Sequence, residues 1–215
     1  MLKGLLFRSK NLFSYLYNVS LSGSYSTYYS NLMDKRINDG WGDDVDRLYQ
    51  LKWLRDNSLI NNDTHLLDFG CGPAVAGLNF ISFLDESNYT GADISSRAIQ
   101  KAKSLIKSSG LCLKKPNFIV LDARWSDVLF NKKFDLVWAQ SVFTHMPPDD
   151  VKSNLKKLAN TLLPRGKILC DFNIDDYSQA WSSGGYINNN FSYSHKDITK
   201  LSLEVGLKVR TIDTW

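Results

Sequence analysis

Short apolar runs alternate with amphipathic stretches along most of the chain. Six runs have the character of buried strands, at residues 66–69, 89–94, 117–123, 134–141, 166–172 and 207–213. Helical patterns lie between them, at residues 75–85, 95–110, 149–163 and 194–206. Apolar strands that alternate with helices predict a doubly wound α/β fold, in which a mostly parallel sheet is covered by helices on both faces.

Two segments stand apart from this alternation. Residues 1–60 precede the first strand and have a helical pattern, so we expect an N-terminal helical cap on a core of residues 61–215, together one domain. Residues 173–193 are rich in Asn, Ser, Gly and aromatic side chains. A connection of that length without regular structure is a candidate lid or binding loop, and a surface loop without a role is the alternative.

Composition narrows the class of protein. The 215 residues are 43% hydrophobic and 22% charged, which is ordinary for a globular domain. The net charge is +4, and the lysines occur in scattered pairs that favour a solvated surface over a nucleic-acid groove. The three cysteines form no metal-ligand pattern and leave an odd thiol, which suits a reducing compartment and predicts a cytoplasmic protein without a metal site.

The N-terminal segment is basic and apolar, but it has no run long enough for a membrane span. Residues 1–19 lack the uninterrupted apolar region of a signal peptide. An amphipathic helix on a membrane surface is one interpretation, and a helix packed on its own domain is the favoured one.

Candidate chemistry begins where the first strand ends. Asp68 closes that strand, and Gly70, Cys71 and Gly72 form the turn behind it. Glycines let the backbone approach a ligand closely, at the sheet edge where doubly wound proteins bind ligands. The dinucleotide fingerprint G-x-G-x-x-G fails at Val75, and a carboxylate beside a pyrophosphate would repel it. The turn therefore suits a cationic ligand and disfavours a nicotinamide oxidoreductase.

Two further acids close the next two strands. Asp93, followed by Ile94, ends the second strand at the position from which a carboxylate accepts both ribose hydroxyls of a nucleotide. Asp122 ends the third strand and can accept from an adenine amino group, while the backbone N–H of Ala123 serves a ring nitrogen. Asp is common at strand ends, so each acid alone is a weak signal. Together with the glycine turn they describe an adenosine that carries a cationic tail.

These motifs resemble the class I S-adenosylmethionine-dependent methyltransferases, with their Rossmann-like sheet, over about residues 45–213. The matching stretches are "LLDFGCGPA", "GADIS", "VLDA" and "FDLVWAQSVFTHM". The likeness is greatest to the branch that acts on small molecules, and it implies S-adenosylmethionine as cofactor. The contacts that it implies are Asp68, Gly70 and Gly72 around the methionine part, with Cys71 in the same turn, Asp93 at the ribose, Asp122 at the adenine, and Gln140 near the methionine part.

The chain departs from the family pattern in three places. Ala74 stands where the family's loop usually has a third glycine. The sheet of the family has seven strands, whereas the pattern here supplies six; either the seventh is missing or the sequence is truncated. The segment "AQSVFTHMPP" lacks the Asp/Asn-Pro-Pro-aromatic motif of the branches that methylate nucleic-acid bases, which argues against such substrates.

His145 is the candidate catalytic base, because it follows the fourth strand on the cofactor side. The alternative is a structural histidine that anchors the turn before Pro147. We expect His65 and His195 to be structural or surface residues. Packing is the favoured interpretation for Trp41 and for the tyrosine cluster from Tyr25 to Tyr29, which could instead cover the cofactor. For Trp125, near Asp122, covering the adenine and packing both stay open.

The sequence thus predicts a methyltransferase with a small-molecule acceptor, for which a sugar or glycan hydroxyl is the first hypothesis. A non-catalytic cofactor- or partner-binding protein with the same fold is the alternative, because a fold does not guarantee chemistry. The identity of the acceptor and the oligomeric state stay open.

Overall fold

A computed structural model describes residues 25–38, 47–121, 132–176 and 190–212. Within them, five parallel strands form one sheet in the order β3-β2-β1-β4-β5. The strands are β1 (Leu66–Phe69), β2 (Tyr89–Asp93), β3 (Asn117–Val120), β4 (Phe134–Ala139) and β5 (Leu162–Cys170). The chain order reverses between β1 and β4, which makes the carboxyl ends of these two strands the place where a doubly wound sheet binds ligands.

Helices flank the sheet in chain order. They are α1 (Tyr25–Asn38), α2 (Leu48–Asp56), α3 (Val75–Phe83), α4 (Ser96–Ser108), α5 (Pro148–Thr161) and α6 (His195–Glu204). Short 3-10 turns occupy Leu111–Lys114 and Phe143–His145, and β6 (Asn173–Ile174) pairs in parallel with β7 (Ser192–Tyr193) away from the main sheet. A capping box begins α6, since the Ser194 hydroxyl accepts from the Asp197 N–H and the Asp197 carboxylate accepts from the Ser194 N–H.

Successive side chains of the central strands point to opposite faces and build two cores. Leu66 and Trp138 face the side that α2 and α3 cover, whereas Leu67 and Val137 face the side that α5 covers. Because both faces of β1 and β4 are buried, these strands are apolar almost without interruption. The doubly wound, mostly parallel fold predicted from the sequence is confirmed.

The prediction of a sixth strand at residues 207–213 was wrong for the residues described there. Residues 207–212 form no strand, and Val209 and Ile212 are exposed. Alternating apolar residues suit a half-buried strand, but a strand also needs a neighbour with which to pair, and the sheet of the described residues has five members. The expected core of six strands is corrected accordingly.

Residues 164–166, which separate the predicted helix 149–163 from the predicted strand 166–172, form an irregularity inside β5. Phe134 of β4 lies opposite Leu162 while Leu136 lies opposite Lys167, so the extra residues bulge out of the ladder. Arg165 takes a left-handed conformation with φ of 73°. The helix before the bulge ends at Thr161, two residues earlier than the sequence predicts.

The N-terminal region contributes two described helices to the predicted cap. In α1, the Ser30 hydroxyl donates to the Ile94 carbonyl (3.1 Å) and Asp34 accepts from the Ser95 hydroxyl. In α2, Leu51 and Leu54 pack into the core beside α3. The division at residue 60 stays a prediction.

Several sequence-based predictions lie outside the described residues. They concern Trp41, Asp122, Ala123, Trp125, the segment 1–19 and most of the connection 173–193. Among the described helices, each is too short or too polar to cross a bilayer.

Candidate active site

A cavity of about 740 Å³ opens at the carboxyl edge of the sheet, between the strand ends and α1. This volume is typical of small-molecule and cofactor pockets. Eight residues singled out from the sequence line it: Asp68, Gly70, Cys71, Gly72, Asp93, Ile94, Gln140 and His145. The structure thus brings together every predicted site residue that it describes, and their individual roles stay predictions.

The turn after β1 leaves no room for a side chain at Gly70. The N–H of Gly70 donates to the Ala92 carbonyl at 2.7 Å, which ties the turn to β2. Gly70 has φ of 78°, and a Cβ built on it would lie 2.4 Å from Cγ2 of Val142. Ala74, at the place of the family's third glycine, also has a left-handed backbone, with φ of 59°. An L-residue holds that conformation at a cost of roughly 1–2 kcal/mol, so the surrounding packing must enforce it.

Asp68 is a buried carboxyl that accepts a 2.7 Å hydrogen bond from the Tyr89 hydroxyl. Burial raises the pKa of Asp68 to about 7, and the bond from Tyr89 opposes part of that rise. A cation placed in the cavity would favour the ionised carboxylate. The site is therefore electrostatically suited to a ligand that is positive at the end of β1.

Asp93 has both carboxylate oxygens engaged by the backbone. Oδ2 accepts from the Gly72 N–H at 2.9 Å and Oδ1 accepts from the Ser95 N–H at 2.8 Å. Burial raises the pKa of Asp93, while these two N–H bonds lower it. Each carboxylate oxygen can accept a second hydrogen bond, so the side chain retains acceptor capacity toward a diol in the cavity.

The thiol of Cys71 is unsuited to nucleophilic chemistry. Burial, together with the nearby carboxyls of Asp68 and Asp93, raises its pKa well above the ordinary value. A protonated thiol in a tight turn behaves as a small apolar side chain.

Gln140 is hydrogen-bonded to Gln50, a residue that the sequence did not indicate as part of the site. Nε2 of Gln50, in α2, donates to Oε1 of Gln140 and, at 3.3 Å, to the Tyr49 hydroxyl. Gln50 is 1% exposed, and its Oε1 has no hydrogen-bond partner among the described residues. A buried acceptor without a partner at a cavity wall fits a ligand that brings a donor, such as an ammonium group. The available signal was a polar residue beside Leu51 on the core-facing side of an amphipathic helix.

His145 lines the cavity from the 3-10 turn after β4. Its ring stacks on that of Tyr29, with centroids 5.4 Å apart and an interplanar angle of 30°. Asp171 follows β5 and accepts from the Ser141 N–H at 2.6 Å. Burial raises the pKa of Asp171, while the Ser141 bond and the charge of His145 lower it. The imidazole therefore has an aromatic ring and a carboxylate as neighbours.

The other two histidines lie elsewhere. His65 precedes β1 at the far edge of the sheet, where Nδ1 lies 3.4 Å from the Asp135 carboxylate. His195 is exposed on the first turn of α6. Neither lines the cavity.

Comparisons with known proteins agree with this geometry. Residues 66–166 match the family model described as a methyltransferase domain. The probable methyltransferase ltbC from Aspergillus luteorubrus is 26% identical over 113 residues, which are 50% of this chain and 39% of that protein. The chain thus matches about two fifths of the length of that curated relative.

Solved structures share the fold. Magnesium protoporphyrin IX methyltransferase (ChlM) from Synechocystis PCC 6803, with bound S-adenosylmethionine, superposes with a TM-score of 0.57 at 17% identity, over 76% of this chain and 69% of that one. The YcgJ protein from Bacillus subtilis gives a TM-score of 0.61 at 18% identity, over 78% and 71%. The matched methyltransferase-domain model and the shared fold confirm the resemblance to the class I S-adenosylmethionine-dependent methyltransferases that was seen in the sequence.

Proposed function

We propose that the protein transfers a methyl group from S-adenosylmethionine to a hydroxyl of a small-molecule acceptor, with His145 as the base. The observation that carries the proposal is one cavity lined by two buried carboxyls, Asp68 and Asp93, and by the half-buried imidazole of His145. The carboxyls suit an adenosine with a cationic tail, and the imidazole suits removal of a proton.

The residues of the cavity fit the cofactor. Gly70 and Gly72 line the cavity without side chains of their own, Asp93 has acceptor capacity for the ribose hydroxyls, and Gln50 presents a buried acceptor without a described partner. When bound, S-adenosylmethionine supplies a methyl group on a positively charged sulfur. Asp68 would stabilise that positive charge as a carboxylate.

His145 has two tasks under this proposal. It accepts the proton that the acceptor hydroxyl loses as its oxygen becomes the nucleophile, and it helps to orient that hydroxyl toward the cofactor. Alignment supplies most of the remaining acceleration in such a transfer, up to roughly 7–11 kcal/mol in favourable cases. Asp171, beside His145, would stabilise the imidazolium that forms.

Cofactor binding is tested first, by calorimetry with S-adenosylhomocysteine. Asp93→Asn keeps the shape of the side chain but removes its charge, and we expect it to cost roughly 1.5–3 kcal/mol of affinity. Because Asp93 also anchors the Gly72 and Ser95 backbone, a thermal melt of the same variant must show a folded protein. A folded variant with an unchanged dissociation constant would remove Asp93 from the ribose site.

Activity is tested with methyl-labelled S-adenosylmethionine and a panel of sugars, phenols and hydroxy acids. We expect label transfer to at least one hydroxyl, and His145→Ala should lower turnover roughly 10²–10⁴-fold. His195→Ala, which changes an exposed histidine that does not line the cavity, is the matched control. Tight binding of S-adenosylhomocysteine without transfer to any acceptor would favour the non-catalytic alternative.

A further inference from the structure

The ring of Tyr29 stacks on the imidazole that the proposed function uses as a base. The two rings come from distant parts of the chain, α1 and the turn after β4, and both line the cavity. Burial raises the pKa of Tyr29 far above its ordinary value, so the phenol is neutral at any working pH. The imidazole of His145 therefore packs against an uncharged aromatic ring.

The part of α1 that carries Tyr29 is hydrogen-bonded to the loop that follows β2. The neighbouring Ser30 donates to the Ile94 carbonyl, and one turn further on Asp34 accepts from the hydroxyl of Ser95. Ile94 and Ser95 follow Asp93 directly. The helix that carries Tyr29 is thus bonded to the same loop that presents the proposed ribose acceptor.

The backbone of the turn with His145 is fixed separately. The Thr144 carbonyl accepts from the Phe191 N–H at 2.7 Å, and the Met146 carbonyl accepts from the Tyr193 hydroxyl at 2.5 Å. These bonds hold the residues on either side of His145. The direction of the imidazole then depends on its two side-chain torsions and on the groups that contact the ring, of which the Tyr29 ring is one.

We propose that Tyr29 is a positioning residue, whose ring holds the imidazole of His145 in the orientation needed to take a proton from the acceptor; this rests on the proposed function. The stack restricts the imidazole to rotamers close to the observed one, inclined 30° to the tyrosine ring, which fixes where its nitrogens point. Since misplacement of a reacting group by about 1 Å can cost up to roughly 100-fold in rate, such a restraint has measurable consequences.

The first experiment needs no acceptor. The chain has three histidines, so the ¹H–¹³C imidazole signals of His145 are identified by their loss in His145→Ala. A ring stacked on tyrosine gives upfield-shifted signals. We expect Tyr29→Leu to abolish that shift, whereas Tyr29→Phe, which keeps the aromatic face and removes only the hydroxyl, retains it. Asp34→Ala, which loosens α1 without touching His145, should reduce it.

The same variants are then assayed for binding and turnover. With the acceptor that the panel identifies, Tyr29→Leu should lower kcat roughly 10- to 100-fold while the dissociation constant of S-adenosylhomocysteine changes less than threefold, and Tyr29→Phe should recover most of kcat. Parental kcat in Tyr29→Leu, or equal losses in the Leu and Phe variants, would overturn the proposal.

Failure of the positioning role of Tyr29 can be distinguished from failure of the proposed function. Loss of turnover in His145→Ala together with full turnover in Tyr29→Leu leaves the base in place and removes only the positioning role. Full turnover in His145→Ala removes the base, and with it any catalytic purpose of the stack. Absence of an upfield shift in the parent protein overturns the positioning proposal regardless of activity.

Discussion

Asp68 should couple cofactor binding to the release of a proton. In the free protein its pKa is about 7, because the carboxyl is buried, so it is largely protonated in mildly acidic solution. A bound sulfonium and ammonium would stabilise the carboxylate instead. Binding S-adenosylmethionine below neutral pH must then expel the proton, and the affinity should rise with pH until Asp68 is already ionised in the free protein.

The size of the effect follows from the pKa. If the bound cofactor keeps Asp68 ionised throughout, the apparent dissociation constant should be about 25-fold larger at pH 5.5 than at pH 7.5. Near pH 6, calorimetry in two buffers of different ionisation enthalpy should detect release of almost one proton for each molecule bound. Asp68→Asn cannot ionise, and its affinity should be low and nearly independent of pH.

S-adenosylhomocysteine separates the charges, since its sulfur is neutral while its amino group is not. Its affinity should vary less steeply with pH than that of S-adenosylmethionine. A parent protein whose affinity for S-adenosylmethionine is flat from pH 5.5 to 7.5, with no proton released, would refute the argument and place the cationic part of the ligand away from Asp68.

Three further outcomes are expected. Gly77→Ala would normally stabilise a helix by about 1 kcal/mol, but the new Cβ would lie 2.5 Å from the Tyr89 hydroxyl. Because that clash would push the hydroxyl away from Asp68, we expect a lower melting temperature and weaker cofactor binding. The folded state holds the Asp68 proton more tightly than the unfolded chain, so the stability of the free parent relative to Asp68→Asn should fall as pH rises from 3.8 to about 7, measured by paired melts. In Asp171→Asn, the side chain can still accept from the Ser141 N–H, but the negative charge beside His145 is lost. We expect kcat to fall roughly three- to tenfold, with an unchanged dissociation constant for S-adenosylhomocysteine. An unchanged kcat would show that the Asp171 charge does not act on the base.

The parts of the fold that the sequence predicted well are those with local causes. The strand ends at Asp68 and Asp93 follow from apolar runs that stop at an acid, and the glycine turn follows from backbone conformations that few other residues adopt. The family resemblance then located the cavity, whose described residues lie together as expected.

The parts that the sequence did not predict depend on tertiary contacts. Tyr29 belongs to an aromatic cluster for which packing was the favoured interpretation, and nothing in its local pattern indicates a stack on His145. Gln50 is one polar residue in an amphipathic helix, and its burial depends on how α2 lies beside β4. The alternation at 207–212 looks like a strand, but alternation carries no information about whether a pairing neighbour exists.

The contacts that fix His145 come from outside the stretch that matches the family model. Asp68 and Asp93 lie within residues 66–166, whereas Tyr29 precedes that stretch and Tyr193 follows it. Donor recognition and acceptor recognition would then be separable by design. Grafting new sequence onto the segment around β7, or onto positions of α1 other than Tyr29, Ser30 and Asp34, should redirect which molecule is methylated, while the machinery that holds the methyl donor stays intact.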